Sequence, residues 1–274
     1  MSAPSADDAG IRHPQAGPDA RILSLVPSLT ELLFDLGLGG RVCGRTHYCV
    51  EPEGPVGAVP AVGGTKKVNM AKVRALRPTH AVVNVDENPK AMAEALAHDG
   101  VEVVVTHPVE VADNVRLYRL MGGIFGAAER AAALTEAFEA AYQRLRARAD
   151  VFPPRRVLYL IWKAPWMTVA ADTYVARMLA LVGWQGIAGP SGGDDAKRYP
   201  EIELSKALLA EADYVLFSSE PYAFTEDDVA AFRARFPAHA EKARLVDGQL
   251  LSWYGSRAIK GLEYLEKISA SFTS

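Results

Sequence analysis

The sequence predicts an α/β protein with two lobes, each built on a mostly parallel sheet, joined by one long backbone helix. Strand-like and helix-like segments alternate along most of the 274 residues, which is typical of parallel sheets covered by helices. Residues 127–150 contain neither Gly nor Pro and are rich in Ala, Glu, Arg and Leu, so they predict a helix of about six turns. We expect a disordered tail over residues 1–20, an N-terminal lobe over 21–126, a connecting helix over 127–150 and a C-terminal lobe over 151–274.

In the first lobe, strand and helix signals follow one another in order. A strand at residues 21–26 leads directly into a helix that reaches Gly37, and Ser28 and Glu31 have the spacing of a capping box at its start. The further elements are a strand at 42–46, a helix at 69–76 before Pro78, a strand at 81–85, a helix at 89–99 and a strand at 101–106.

The second lobe begins after Pro153 and Pro154, which end the long helix because proline cannot continue it. Residues 157–161 are a continuous apolar run, which favours a strand buried on both faces. The alternation then continues with helices at 172–182, 203–211, 225–235 and 256–270 and strands at 214–217 and 245–246.

The composition excludes two classes of partner. A net charge of −3, with 23% charged residues of both signs, leaves no basic footprint for nucleic acid or for a membrane surface. No segment approaches the roughly 18 apolar residues of a transmembrane helix. The two cysteines, Cys43 and Cys49, form neither a CxxC pair nor a zinc quartet. Two free thiols are the favoured interpretation, and a disulfide is the alternative.

The expected cellular location of the protein is based on its first twenty residues. They hold three prolines and many small or acidic residues, and they contain no apolar run of the roughly 7 to 15 residues that a secretory signal needs. We therefore expect a cytoplasmic protein, with the periplasm as the alternative.

Two tryptophans and a methionine lie where the strand at 157–161 leaves the core. Trp162, Trp166 and Met167 are large apolar side chains, and in open α/β sheets ligands bind at the carboxyl ends of the strands. This placement predicts one wall of a ligand site. The alternative is that Trp162 and Trp166 pack in the core, as most tryptophans do.

Polar and aromatic residues also gather at the ends of the other predicted strands. Because pockets combine apolar walls with a few placed polar groups, we expect a shared ligand site, and solvated loops are the alternative. The candidate ligand-binding residues are Tyr48, Thr65, Lys66, Asn84, Glu87, Trp162, Trp166, Met167, Arg198, Tyr199, Glu220, Tyr222, Trp253, Tyr254 and Arg257.

The signals for catalysis are weaker. An enzyme using the same site, with His107 or Glu87 as the acid–base group, is the alternative function. Residues 189–193 match G-x-S-x-G, but their flanks predict a loop rather than the strand-to-helix turn that a nucleophile elbow needs. His47 and Cys49 would need a third ligand to define a metal site. We expect no catalytic residue, no metal ligand among the side chains and no required cofactor.

Four segments resemble the class III, helical-backbone substrate-binding proteins of ABC importers. They are residues 21–37, Gly63-Gly64-Thr65 with residues 69–78, residues 165–179 and residues 253–257. The similarity runs over most of the chain and is greatest to the cobalamin-binding branch. It implies two α/β lobes around a long helix, with non-catalytic binding of cobalamin, haem or an iron–siderophore chelate in the cleft between them.

Individual positions carry this resemblance to different degrees. Tyr48 and Tyr199 stand where the cobalamin-binding branch has aromatic residues. Its other first-lobe aromatics align near Thr65 and Asn84, which are polar here, and Arg257 lies close to the arginine position of the last loop. The matches imply that a corrin ring or another metal chelate is the ligand.

The resemblance also bears on transport. Importer-type relatives present one glutamate on each lobe to the ABC permease, and these positions align with Ala71 and Ser205, although Glu201 and Glu203 are near the latter. A permease is thus a possible partner whose docking glutamates are absent. With no visible signal segment, the resemblance implies a cytoplasmic ligand carrier or sensor.

Overall fold

The computed structural model describes residues 6–187 and 198–272. The chain divides into two compact units. Unit 1 comprises Met1–Pro108, Ala112–Glu139 and Tyr254–Arg257, and unit 2 comprises Val109–Val111, Ala140–Trp253 and Ala258–Ser274. The motif at residues 189–193 lies outside the described residues.

Unit 1 is built on a four-stranded sheet in the order β2-β1-β3-β4, in which every pairing is parallel. Its strands are β1 (Ile22–Ser24), β2 (Val42–Arg45), β3 (His80–Asn84) and β4 (Glu102–Thr106). Its helices begin with α1 (Pro27–Asp35), α2 (Met70–Leu76), α3 (Lys90–His98) and α4 (Asp113–Phe125). Every residue of β1 and β3 is buried, as expected for central strands covered on both faces.

The segment before β1 is ordered from residue 6 onward, so the expectation of a disordered tail over residues 1–20 is wrong for this part. The Asp7 carboxylate is buried and accepts a hydrogen bond from the Val105 amide of β4 at 2.9 Å. The buried His13 ring contacts Asp7 on one side and Glu102 of β4 on the other. The segment thus satisfies polar groups along an edge strand that would otherwise be open to solvent.

Helix α1 starts differently from the sequence prediction. Val26 is its N-cap, Pro27 occupies the first turn, and no side chain caps the helix. Proline fits the first helical position because its missing N–H has no intrahelical partner there. The start therefore lies upstream of Ser28, and the predicted capping box of Ser28 and Glu31 does not form. Glu31 instead binds Arg257.

Helix α4 was not predicted, although its apolar residues Leu117, Leu120, Met121 and Ile124 recur at helical spacing. The neighbouring glycines weaken the helical signal. Gly122 is required by packing, since a Cβ atom there would lie 2.5 Å from the Ala131 Cβ atom.

The predicted long helix is α5 (Ala128–Ala147), followed by a 3₁₀ turn at Ala149–Val151. The chain passes from unit 1 to unit 2 within α5, after Glu139. Among the residues described, no helix is long and apolar enough to cross a membrane.

Unit 2 carries a second four-stranded sheet, in the order β6-β5-β7-β8 and again parallel. Its strands are β5 (Arg155–Leu160), β6 (Trp184–Gly186), β7 (Tyr214–Ser218) and β8 (Ala243–Val246). Its helices are α6 (Tyr174–Ala180), α7 (Lys206–Glu211), α8 (Glu226–Arg235), α9 (Gly248–Ser252) and α10 (Arg257–Ser271) together with the end of α5. The short edge strand β6 was not predicted. The α/β class with two parallel sheets is confirmed.

Four helices of unit 2 begin at side chains suited to capping. Thr173, Ser205 and Asp247 each accept a backbone hydrogen bond from the first turn that follows, and Thr225 and Asp228 form a capping box at α8. Polar caps of this kind satisfy amides that the helix itself cannot. They fix where each helix starts relative to the end of the preceding strand or loop.

Candidate functional site

The strand-end edge of unit 1 presents one large exposed aromatic side chain. Tyr48 follows β2 and is 62% exposed. Thr65, in the loop that precedes α2, is buried. Lys66 is exposed, and its ammonium group donates to the carbonyl of Asp86, after β3. Of these predicted ligand residues, Tyr48 thus offers an exposed aromatic ring.

Asn84 is part of the framework beneath this edge. It is buried, and its Oδ1 atom accepts hydrogen bonds from the amides of Asp86 at 2.8 Å and Glu87 at 3.3 Å. Asn88 completes the turn: its amide group donates to the carbonyls of Leu25 at 3.2 Å and Thr65 at 2.9 Å. Asn88 lies at a predicted strand end but was not among the predicted ligand residues, although asparagine is typical of such turns.

The acid–base candidates of the alternative enzyme hypothesis lie on the same edge. His107 follows β4, and its Nε2 atom is 3.6 Å from Asp86 Oδ1. Its backbone amide donates to Asp8 at 2.6 Å. Glu87 is half-buried in the turn described above.

The predicted tryptophan wall of unit 2 separates into two roles. Residues 162–167 form a reverse turn closed by the Met167 amide, which donates to the Trp162 carbonyl at 3.2 Å. Trp162 is 41% exposed and meets Tyr222 edge-to-face, with ring centroids 5.6 Å apart. Trp166 instead stacks on Phe224 at 6.0 Å. The core-packing alternative therefore holds for Trp166.

Glu220, which follows β7, is hydrogen-bonded to helix α9 and to Trp253 at the C-terminal end of that helix. Glu220 Oε2 accepts from the Trp253 indole N–H at 2.7 Å, and Oε1 accepts from Gln249 at 3.0 Å. Trp253 is buried. Both predicted ligand residues thus help to hold α9 to the loop after β7.

Arg198 and Tyr199 follow the undescribed residues. The Arg198 guanidinium donates to the Asp172 carbonyl at 2.6 Å. The backbone around them runs antiparallel to the Trp162 turn, through a bridge between Met167 and Glu201. Tyr199 is 37% exposed. Trp162, Met167 and Tyr199 therefore lie on two adjoining segments of unit 2.

Tyr254 and Arg257 belong to unit 1, although they follow the last strand of unit 2. Arg257 donates to both carboxylate oxygens of Glu31, at 2.7 and 2.8 Å, and lies 3.3 Å from Glu51. Burial raises the pKa of Glu31 even though the guanidinium opposes the shift. Arg257 is thus held in a largely buried ion pair with Glu31.

The cysteines and histidines do not assemble a metal site. Across residues 6–187 and 198–272, no group of three or more His, Cys, Asp or Glu side chains could hold a metal ion. Cys43 and Cys49 are free thiols. Burial raises the pKa of Cys49, which also accepts a hydrogen bond from Thr30 at 3.0 Å. A buried thiol with a raised pKa is a poor metal ligand.

Comparison with known proteins gives the family. The profile of the periplasmic binding protein family matches residues 22–246. The chain belongs to this family. A vitamin B12-binding protein of Vibrio cholerae is 24% identical over 206 residues, which cover 74% of this chain and 71% of that protein. A vitamin B12-binding protein of Yersinia pseudotuberculosis is 22% identical over 212 residues, covering 77% and 73%.

Solved structures of periplasmic binding proteins have the same fold. BtuF, the periplasmic vitamin B12-binding protein of Vibrio cholerae, superposes with a TM-score of 0.80 at 18% identity, covering 94% of this chain and 99% of that one. The periplasmic heme-binding protein BhuT, in complex with two hemes, gives 0.78 at 20% identity, covering 93% and 99%. The predicted resemblance to this family is confirmed.

Membership of the periplasmic binding protein family decides between the functions predicted from sequence. The chain is a non-catalytic ligand-binding protein that requires no cofactor. The enzyme alternative through His107 or Glu87 has no support. Membership also supports a small-molecule ligand and, in general, a permease as partners.

The expected cytoplasmic location is wrong. The matching family and its relatives are periplasmic binding proteins. The lack of an apolar run in residues 1–20 describes only those residues and gave no ground for a location. The inference of a cytoplasmic carrier or sensor depended on that location and is therefore wrong as well.

An ion pair fixes the Trp162 turn to α8, and this gives a testable pH dependence. Lys163 donates to Asp228 Oδ1 at 2.6 Å, while Asp228 Oδ2 accepts from the Thr225 amide at 3.1 Å. Burial opposes ionisation of Asp228, but the hydrogen bonds from Lys163 and Thr225 together lower its pKa below the ordinary value of 3.8. A lowered carboxyl pKa contributes stability above that value and loses it as the pH falls.

We expect Asp228→Ala to lower the free energy of unfolding by about 1 kcal/mol at pH 7, the usual cost of losing a helix cap. Urea denaturation of the variant and the wild type at several pH values measures the difference. It should disappear as the pH falls well below 3.8. Asp227→Ala, at the next exposed position of α8, is the matched control. An equal loss in both variants would contradict the capping role.

Proposed function

We propose that the chain binds a large, flat metal chelate of the cobalamin, haem or ferric siderophore class. The observation that carries the proposal is the set of exposed aromatic side chains at the strand-end edges: Tyr48 in unit 1, Trp162 and Tyr199 in unit 2. Large exposed rings bordered by polar groups are typical of ligand or interaction sites. A planar ligand that stacks on such a ring removes it from water, while the polar rim of the ligand meets the neighbouring loops.

The proposed class of ligand is supported by what the relatives are named for binding. The curated relatives are vitamin B12-binding proteins, and structural neighbours include a vitamin B12-binding and a heme-binding protein. Corrins and porphyrins are both wide tetrapyrrole-derived rings that carry a metal in the centre. The shared chemistry is a wide ring with polar groups at its periphery, which suits aromatic contacts combined with polar loops.

The predicted site residues divide into two groups in this proposal. The direct contacts are Tyr48, Thr65, Lys66, Glu87, Trp162, Met167, Tyr199 and Tyr222. The residues that hold the frame are Asn84, Trp166, Arg198, Glu220, Trp253, Tyr254 and Arg257. Replacing a direct contact changes affinity, whereas replacing a frame residue changes stability first.

Trp162→Ala should weaken ligand binding by at least about tenfold, which corresponds to about 1.4 kcal/mol. The physical reason is the loss of a large, partly exposed ring from the contact surface. The affinity is measured by titrating tryptophan fluorescence with cyanocobalamin, haemin and a ferric siderophore. Val151→Ala is the matched control, because this apolar side chain is exposed in unit 2 away from the strand ends.

Two results would count against the proposal. If none of the three ligands changes the fluorescence at concentrations up to the millimolar range, the class of ligand is wrong. If a ligand binds and Trp162→Ala binds it as tightly as Val151→Ala does, the strand-end edge of unit 2 is not a contact surface.

We further propose that any permease contact lacks the pair of glutamate contacts implied by the family resemblance. Ala71 lies in the first turn of α2, and Ser205 caps α7 through its hydroxyl group. Neither position offers a carboxylate. Glu201 and Glu203 are exposed just before Ser205, so they are the acidic groups that unit 2 has available nearby.

A further inference from the structure

A cavity on the strand-end edge of unit 1 carries positive charge. Its volume is about 510 Å³, and its lining includes Lys67, Lys72 and His47. We propose that this cavity binds an anionic group, a carboxylate or a phosphate, at the periphery of the ligand. The inference rests on the proposed function, because the ring of the ligand is the chelate proposed above. Anion binding by the cavity can nevertheless be tested separately.

The two lysines are not neutralised by the protein. Within residues 6–187 and 198–272, neither the Lys67 nor the Lys72 ammonium group has a carboxylate or hydrogen-bond partner. The adjacent Lys66 differs, because its ammonium group is bound to the Asp86 carbonyl. Two uncompensated ammonium groups lining one cavity favour an anion there. Lys66, the lysine predicted from sequence, is thus not among the lining groups.

The backbone around the cavity is tightly constrained. Gly63 has φ +147°, and a Cβ atom on it would lie 2.5 Å from the Lys67 carbonyl oxygen. The Gly64 amide donates to that same carbonyl at 2.8 Å, and the His47 amide donates to the Gly63 carbonyl at 2.8 Å. Glycine is needed at position 63 because other residues rarely adopt this φ. The turn from Gly63 to Val68 is therefore a preformed wall of the cavity.

The cavity adjoins the exposed aromatic side chain of the same unit. A Cβ atom on Gly64 would lie 3.3 Å from Tyr48 Cε2, so the Tyr48 ring rests beside this wall. A ligand whose ring lies against Tyr48 can therefore extend a side arm toward Lys67 and Lys72. The ligand class that fits is a macrocyclic chelate with a carboxylate or phosphate arm.

The experiment compares ligands that differ in the anionic arm. Haemin, with two propionates, is paired with haemin dimethyl ester, and cyanocobalamin, with a phosphodiester, is paired with dicyanocobinamide, which lacks it. Affinities are measured for the wild type, for Lys67→Gln/Lys72→Gln and for the control Lys206→Gln/Lys260→Gln, which removes two exposed lysines of unit 2. Inorganic phosphate is titrated separately, with the amide NMR signals of Gly63 and Gly64 as the readout.

We expect Lys67→Gln/Lys72→Gln to weaken the bound anionic ligand by about tenfold, from two exposed charge contacts. The ligand without the arm and the control variant should be unaffected. Phosphate should shift the two glycine signals in the wild type but not in the double variant.

Failure of the inference and failure of the proposed function give different results. The cavity assignment would be overturned if the wild type binds a ligand with the anionic arm and its partner without the arm equally tightly, and if phosphate does not shift the Gly63 and Gly64 signals. The chelate-binding proposal would still stand. If no macrocycle binds but phosphate shifts Gly63 and Gly64 through the two lysines, the ligand class is wrong and anion binding by the cavity is supported.

Discussion

Replacing Arg257 with alanine is expected to lower the free energy of unfolding by about 3–5 kcal/mol, the usual cost of removing one partner of a buried ion pair. Arg257 holds Glu31 through two hydrogen bonds, and the two side chains are 12% and 10% exposed. Without the guanidinium, the Glu31 carboxylate stays in a half-desolvated site with no counter-charge. Chemical denaturation at pH 7 measures the loss.

The pH dependence of the stability of Arg257→Ala tests whether the loss comes from the uncompensated charge of Glu31. The folded-state pKa of Glu31 is already raised above 4.5 by burial, and losing Arg257 raises it further. A carboxyl group with a raised folded-state pKa loses stability as the pH rises above its ordinary value. The deficit of Arg257→Ala should therefore shrink as the pH is lowered toward 4.5, because a neutral carboxyl needs no counter-charge.

A double variant supplies the control. Arg257→Leu/Glu31→Leu removes both charges, and apolar replacement of a buried pair is often nearly neutral. Its stability should lie well above that of Arg257→Ala. If Arg257→Ala instead keeps wild-type stability and loses ligand affinity, then Arg257 is a ligand contact, as the family resemblance implies, and the structural role assigned to it is wrong.

His13→Ala is expected to lower the free energy of unfolding by about 1–3 kcal/mol, the usual cost of leaving a buried polar group without its hydrogen-bond partner. His13 Nε2 lies 3.0 Å from Asp7 Oδ2 and Nδ1 lies 2.7 Å from Glu102 Oε1. The ring thus bridges two carboxylate groups, one in the segment before β1 and one on β4. Its removal leaves the buried Asp7 side chain without this hydrogen-bond partner.

Two measurements test the role of His13. The free energy of unfolding from urea denaturation should fall in His13→Ala but hardly change in Arg12→Ala, the exposed neighbour. Limited proteolysis should cut the variant before β1 faster than the wild type. Equal stability and equal cleavage of the two variants would mean that residues 6–20 contribute little to unit 1.

The parallel strands were the part of the fold most readily predicted from sequence. Continuous apolar runs such as residues 157–161 correspond to strands buried on both faces, and β5, β3 and β7 confirm this. Strand β6 was missed, because a three-residue edge strand has too few residues for a periodic signal. Helix α4 was missed although its periodic signal was present.

Roles within the site were harder to predict, because they depend on partners distant in the sequence. Trp162 and Trp166 are four residues apart on one turn, yet their roles differ because Trp166 meets Phe224. Arg257 lies 226 positions from its partner Glu31. Composition and spacing identify the residue types available at the strand ends, but not which of them are already engaged.

The return of Tyr254–Arg257 to unit 1 has a consequence for the order of folding. The Gly255 amide donates to Asn114 at 2.6 Å, and Tyr118 donates to the Gly255 carbonyl at 2.9 Å. During synthesis, these partners on α4 emerge well over a hundred residues before the segment that satisfies them. Unit 1 therefore cannot complete its hydrogen bonding until residues 254–257 have been synthesised, and contacts so distant in the sequence are slow to form.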